Sequence, residues 1–310
     1  IANVMGKAIE SICLYETVTF KSFITALLSI SKQKYLILLA KTKLVKSTFY
    51  INDFNSSAEA RLIIEIGNSE FTFVILQEKT FTALATYQIA TVNELNDLLA
   101  SENLLHHNFS KVDVVYNNKE SVLVPTVLYS SNATNSYIEL IYGDTFKGQL
   151  KTDFIYKHAI QNIYKIEYTI QKAMFTKFPS ATISHQYSLL PDSTGLSGTK
   201  LFIVFYQNKF SVLCCKQNQL QVIQQFEYAN AHDVTYYLLA IAEQYTLDVN
   251  EVELQLCGMI NENSALYNEL HKYFKHLSFQ PLPDVFDYVD DIQTLPSHYF
   301  AHTFLFAACV

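Results

Sequence analysis

The sequence lacks the short motifs that identify the common enzyme classes. The 310 residues contain no GxSxG, Walker A or HExxH pattern, which excludes the usual nucleophile elbow, P-loop and zincin zinc site. The five cysteines form no CxxC pair, so neither a disulfide framework nor a zinc knuckle is indicated. This cysteine usage is typical of a reducing cytoplasm, and we expect a cytoplasmic protein.

Positive charge is also scarce. The chain has 22 Lys and Arg against 29 Asp and Glu, which gives a formal net charge of -7. Because binding to a phosphate backbone requires clustered Lys and Arg, we expect no nucleic-acid partner.

Long apolar runs are missing as well. The most apolar stretch of the first 46 residues, FITALLSISKQKYLILLA, is interrupted by Lys32 and Lys34, so we predict no membrane span. Residues 1–50 hold seven Lys and two acidic residues, whereas the rest of the chain is strongly acidic. The chain begins at Ile1, and we expect residues 1–46 to be an amino-terminal appendage that is not part of the fold.

The remaining composition is that of a globular protein, and the chain is long enough for two domains. Half of the residues are hydrophobic and only 16% are charged, so the chain can bury a large core. The sequence matches itself at an offset of 139 residues, which places RLIIEIGNSEFTFVILQ (61–77) on KLFIVFYQNKFSVLCCK (200–216). The same offset aligns a third strand and a capped helix, Thr91-x-x-Glu94 falling on Asn230-x-x-Asp233. The pattern predicts an α/β fold with a duplicated β-β-β-α-β unit. The alternative is that the two segments look alike only because all hairpin-plus-helix segments alternate in this way.

The boundaries of the two units follow from this match. We predict a first domain with its linker over residues 47–198 and a second domain over residues 199–310. Within them we predict strands at 137–143 and 181–190, a helix from Asn263 to Phe274, and a last helix near Ser297 to Cys309. His298 and His302 are four residues apart in this last helix and could share a metal. Without a third ligand we favour a helix surface and predict no metal site.

The segments LIIEIGNSEFTFVIL, VLVPTVLY (122–129), FPSATISHQYSLL (178–190) and LFIVFYQNKFSVL, with the Cys257-Gly258 turn, resemble an uncharacterised bacterial family. This is the family of domain of unknown function 3822, found in Bacteroidetes, and the resemblance starts near Lys46. It implies the α/β fold of the actin-like ATPases, which is a duplicated ribonuclease H-like fold of two β-β-β-α-β-α units.

The resemblance also implies where a nucleotide would bind. Glu65 and the turn Gly67, Asn68 and Ser69 correspond to the first phosphate turn, and Gly258 corresponds to the adenine turn. These five are the cofactor-binding residues only if nucleotide binds. In the second phosphate turn Tyr206 stands where glycine is expected, and a Cβ there blocks close approach to phosphate.

We therefore expect a catalytically degenerate actin-like protein that is a cytoplasmic protein-binding scaffold. We assign no catalytic residue and no cofactor, and the second carboxylate-bearing turn of an active site is missing at Val204. We also expect Glu65→Gln to leave stability unchanged, since Val204 is its counterpart. The alternative is an active Mg-ATP-dependent ATPase or small-molecule kinase that uses the interdomain cleft. A structural homodimer stays open as a third hypothesis.

Overall fold

The computed structural model describes residues 47–56, 59–144 and 147–310. The expected appendage, residues 1–46, lies outside these described residues. The helices and strands follow one another as β1 (Ser47–Asn52), β2 (Ala60–Ile66), β3 (Glu70–Gln77), β4 (Thr80–Gln88), α1 (Val92–Ser101), β5 (Lys111–Tyr116), β6 (Ser121–Pro125), α2 (Thr134–Tyr142), β7 (Gly148–Ile155), β8 (Ile160–Glu167), α3 (Tyr168–Lys177), β9 (Thr182–His185), α4 (Gln186–Thr194), β10 (Lys200–Phe205), β11 (Lys209–Lys216), β12 (Gln219–Glu227), α5 (Ala231–Gln244), β13 (Glu253–Gly258), α6 (Ala265–Tyr273), β14 (His276–Phe279), β15 (Asp287–Tyr288), α7 (Asp290–Gln293) and α8 (Ala301–Cys309).

The largest sheet has the strand order β1-β4-β3-β2-β5-β9, with β15 paired to β4. Strand β2 runs antiparallel to β3 and parallel to β5. Both β2 and β3 are buried along nearly their whole length, which explains why their sequences are continuous apolar runs. The turn between β2 and β3 therefore lies at the same sheet edge as the carboxyl end of β5.

A second sheet has the order β12-β11-β10-β13-β14, and it repeats the central pairings of the first. Strand β10 is antiparallel to β11 and parallel to β13, as β2 is to β3 and β5. The bulge between Ile75 and Leu76 in β3 recurs between Cys214 and Cys215 in β11, at the predicted offset. The two segments thus share strand order, register and a local irregularity.

Each segment continues into a helix with a side-chain cap. The Thr91 hydroxyl accepts the Glu94 N–H at the start of α1, while the Glu94 carboxylate accepts the Ala90 N–H. At the start of α5, Asn230 and Asp233 form a complete reciprocal capping box. The Asn230 side chain accepts the Asp233 N–H, and the Asp233 carboxylate accepts the Asn230 N–H.

A third sheet, β6-β8-β7, carries α2 against β6 and β8. The predicted strand at 137–143 is wrong, since these residues belong mostly to α2. The helix buries Ile138 and ends at Gly143, whose φ of 67° stops it in the way typical of a glycine cap. This short apolar run fits the periodicity of a strand as well as that of a helix, so the sequence alone did not decide between them.

Two other predicted elements also need correction. The predicted strand at 181–190 ends at His185, whose ring Nδ1 accepts the Tyr187 N–H and starts α4. The last helix begins at Ala301 rather than near Ser297. The predicted helix from Asn263 to Phe274 is present as α6.

None of the helices in the described part of the chain has the length and apolar character that a membrane crossing requires.

Candidate functional site

The two hairpin turns that follow β2 and β10 have the same backbone structure. The Gly67 N–H donates to the Glu70 carbonyl at 3.0 Å, and the Tyr206 N–H donates to the Lys209 carbonyl at 2.8 Å. These turns are where the actin-like resemblance places the two phosphate sites. Side chains from both turns meet in one buried cluster.

Glu65 is at the centre of this cluster. It is only 2% exposed, although it carries a carboxylate. Its Oε1 accepts hydrogen bonds from the Tyr206 hydroxyl at 2.5 Å and the Asn117 amide at 2.9 Å. Its Oε2 accepts from the Thr303 hydroxyl at 3.0 Å and lies 3.1 Å from His302 Nε2. Tyr206 directly follows β10 and Asn117 directly follows β5, while His302 and Thr303 lie in α8. Glu65 therefore joins both sheets to the last helix.

Glu65 and His302 form a charged pair. Burial alone would raise the pKa of Glu65, but the His302 charge and the surrounding donors lower it well below its usual range. Burial would also lower the pKa of His302, and the Glu65 charge reverses this and raises it. Both groups are therefore ionised at neutral pH, which satisfies the requirement that a buried charge be paired.

A second ion pair links the two turns directly. The ammonium group of Lys209 contacts the carboxylate of Glu70, and both side chains are less than 10% exposed. Lys209 also donates to Asn117 Oδ1 at 3.0 Å, and Ser69 donates to Glu70 at 2.7 Å. The Lys209 ammonium lies 5.2 Å from the centre of the Tyr206 ring. The acidic and basic groups of the cleft thus neutralise each other.

The space beside Gly67 is occupied by this cluster. A Cβ at Gly67 would lie 2.1 Å from Asn117 Oδ1 and from Glu70 Oε1, and 2.8 Å from Lys209 Nζ. A phosphate is larger than a methyl group and needs the same close approach to the turn. The residues present therefore do not fit the phosphates of a magnesium nucleotide in this conformation.

Comparison with known proteins shows that the sequence of this chain matches a protein family. Residues 48–277 match the model of the family described as protein of unknown function DUF3822. The chain belongs to the DUF3822 family. No relative was found among the curated proteins.

Solved structures show the fold of this DUF3822 chain. A protein of Bacteroides thetaiotaomicron VPI-5482 with an actin-like ATPase fold and unknown function is similar with a TM-score of 0.68 and 18% identity, over 82% of this chain and 98% of that chain. The PilM–PilN type IV pilus biogenesis complex is similar with a TM-score of 0.54 and 11% identity, over 80% of this chain and 98% of that chain. The family and the actin-like ATPase fold predicted from the sequence are confirmed.

Gly258 is needed for strand packing. Its φ is 85°, and a Cβ would lie 2.1 Å from the Phe205 carbonyl oxygen. The Gly258 N–H donates to the His298 carbonyl at 2.8 Å. The close approach of β13 to β10 accounts for glycine here without a bound adenine.

His298 and His302 have separate partners. Both are buried, and His298 precedes α8, so the predicted helix-surface placement is wrong. His298 stacks on Phe279 with ring centres 4.1 Å apart, and its Nε2 lies 2.6 Å from the Ile260 carbonyl. The positions of both histidines depend on the packing of α8 and the residues before it against β13, which is distant in the sequence. No cluster of three metal-ligating side chains occurs within the described ranges.

Several important members of the cluster were not predicted from the sequence. Asn117 directly follows β5, and parallel pairing with β2 puts it beside the Gly67 turn, a signal that could have found it. Lys209 is the offset counterpart of Glu70. His302 and Thr303 gave no local signal that they contact Glu65.

A cavity of about 450 Å³ remains next to the cluster. Aromatic and apolar side chains, including Phe205, Tyr228, Met259 and Phe300, form much of its wall. No Lys or Arg is among its described lining residues. His302 also lines the cavity, but its charge is already paired with Glu65. The described lining therefore offers no unpaired cation for a triphosphate.

Proposed function

We propose that this DUF3822 protein is a catalytically degenerate actin-like protein that acts as a cytoplasmic protein-binding scaffold. The observation that carries the proposal is the occupied space beside Gly67, where Asn117, Glu70 and Lys209 stand in place of a phosphate. Glu65, the candidate metal-shell acid, has four protein partners of its own.

The energetics support loss of nucleotide chemistry. A bound triphosphate needs cations and donors from both turns. Here Lys209 is engaged by Glu70, and His302 is engaged by Glu65. Freeing either cation breaks a buried ion pair, which costs about 3–5 kcal/mol when one partner is left uncompensated.

A scaffold role is supported by exposed apolar side chains on α2 and on the turns that follow β6 and β7. Val127, Leu128, Leu140, Ile141 and Tyr156 are each more than half exposed. Exposed apolar patches on soluble proteins mark interaction surfaces. PilM, which shares the fold, is found in a complex with PilN.

We further propose that the two matching segments arose by internal duplication. The common bulge and register support this, because an irregular feature is less readily explained by convergence than a regular hairpin. The domain limits 47–198 and 199–310 remain our proposal for the two copies.

The test is titration of the purified protein with Mg-ATP, by calorimetry and by phosphate release. We expect no heat of binding up to about 1 mM nucleotide and no magnesium-dependent hydrolysis above background. Micromolar binding by the parent protein, with hydrolysis that Glu65→Gln abolishes while circular dichroism stays native, would establish the ATPase or kinase alternative.

A further inference from the structure

A surface groove runs along the helices α1 and α3, away from the Glu65 cluster. The two helices pack side by side, and the groove continues past the short 3-10 turn Asn103–His106 towards the start of β5. It consists of two adjoining depressions of about 500 and about 520 Å³. His106 and Lys177 line both of them, so they form one continuous groove.

The charge of this groove is opposite to that of the chain. Its charged or titratable lining residues are His106, His107, Lys111, Lys172 and Lys177. No Asp or Glu is among the described residues that line it. Lys111 pairs with Asp113 behind the groove at 3.2 Å. In a protein with a net charge of -7, this is a local site for negative charge.

The basic groups at the centre of the groove lack acidic partners. Lys177 Nζ lies 3.1 Å from His106 Nδ1, and the other ring nitrogen of His106 lies 3.1 Å from the Ala100 carbonyl. Within the described part of the chain, neither Lys172 nor Lys177 has a carboxylate within 4.0 Å. Partial burial lowers the pKa of Lys177. An incoming carboxylate would supply the missing counter-charge.

The groove also has an apolar floor. Leu99, Ala173 and Phe178 are buried beneath it, and Phe109 and Pro179 form part of its side. An anion without apolar groups would leave this apolar surface in contact with water. A peptide that alternates acidic and apolar side chains would cover it and pair with the lysines.

We propose that the groove between α1 and α3 docks an acidic peptide segment of a protein partner, with its apolar side chains on the floor and its carboxylates at Lys172 and Lys177. This rests on the proposed scaffold function and gives the chemistry of the partner. Residues 1–46 do not fit as the occupant, because they carry seven Lys and only two acidic residues.

The experiment measures fluorescence anisotropy of a labelled peptide of alternating glutamate and leucine at low salt. The variant Lys172→Glu/Lys177→Glu is expected to weaken binding by at least about tenfold. The control Lys79→Glu/Lys275→Glu makes the same change in net charge at two exposed lysines outside the groove, and it should bind within about twofold of the parent. A peptide with glutamine in place of glutamate should not bind.

Several outcomes would overturn the proposal. These are no binding of the glutamate peptide, an equal loss in the control variant, or equal affinity for an RNA oligonucleotide or polyphosphate. Sedimentation that shows a dimer of the parent, dissociated by the groove variant, would assign the groove to a second copy and overturn it too. Each result is independent of the Mg-ATP titration, so failure here leaves the proposed loss of nucleotide binding in place.

Discussion

Glu65 and His302 lie far apart in the sequence and form a buried pair in the fold. The sequence suggested that Glu65 serves either a metal or the solvent, because its counterpart Val204 is apolar. The structure gives it a third role, since its carboxylate compensates the charge of His302 and accepts bonds from Tyr206, Asn117 and Thr303. The expectation that Glu65→Gln leaves stability unchanged therefore has to be revised, because the substitution would leave His302 charged without a carboxylate.

The substitution Tyr206→Phe tests the contribution of one hydrogen-bond donor in the cluster. The change removes the hydroxyl that donates to Glu65 and accepts from Gln186. We expect the free energy of unfolding to fall by about 1.5–3 kcal/mol, as for a lost hydrogen bond to a buried charge. Urea denaturation measures this free energy of unfolding. The control Tyr50→Phe removes the same group from a residue that is 47% exposed, and it should cost less than about 0.5 kcal/mol.

The ion pair also predicts how stability depends on pH. The pKa of Glu65 is lowered from 4.5 to about 2, so its contribution is present above pH 4.5 and is lost as the pH falls through 2. The pKa of His302 is raised from 6.5 to about 10, so its contribution is present below pH 6.5 and is lost as the pH rises through 10. The pair therefore stabilises most between pH 4.5 and 6.5.

His302→Gln should remove the alkaline part of this dependence. We expect the free energy of unfolding of the parent to fall more steeply between pH 6.5 and 10 than that of the variant, as measured by denaturation at a series of pH values. Parallel curves for the two proteins would show that His302 is not charged in the native state.

At the scale of single elements, regular patterns were predictable and irregular ones were not. The offset of 139 residues predicted the hairpins and capped helices of both sheets, because a hairpin and its following helix depend on local sequence. The helical state of 134–142 and the end of β9 at His185 were not predictable, because the apolar residues of these segments follow no clear period and tertiary packing decides the state. For the same reason, the contacts of α8 with Glu65 could not be predicted from the sequence.

Glycine substitutions test the close contact of β13 with β10. Gly258→Ala would place a methyl group against the Phe205 carbonyl and keep a positive φ. Gly143→Ala keeps a positive φ at the end of α2, but none of the described residues lies within 4 Å of the new atom. We expect a loss of more than about 3 kcal/mol for Gly258→Ala and about 1 kcal/mol for Gly143→Ala, measured by chemical denaturation. Similar losses at both sites would mean that β13 can move away from β10.

For the whole molecule, the family match predicts where the folded unit begins. It begins at residue 48, next to β1. We expect deletion of residues 1–44 to change the thermal unfolding midpoint by no more than about 2 °C, since no part of the matched family region is removed. Differential scanning calorimetry measures the midpoint. A large fall would show that the Lys-rich segment contributes to the core.

The Glu70–Lys209 contact has a consequence for the history of the molecule. The two residues hold equivalent positions in the matching segments, and they carry opposite charges. Under the proposed duplication, an ancestor with identical halves had the same residue at both positions, so it could not have formed this ion pair. The present ion pair requires the halves to differ, so it arose only after their symmetry was broken.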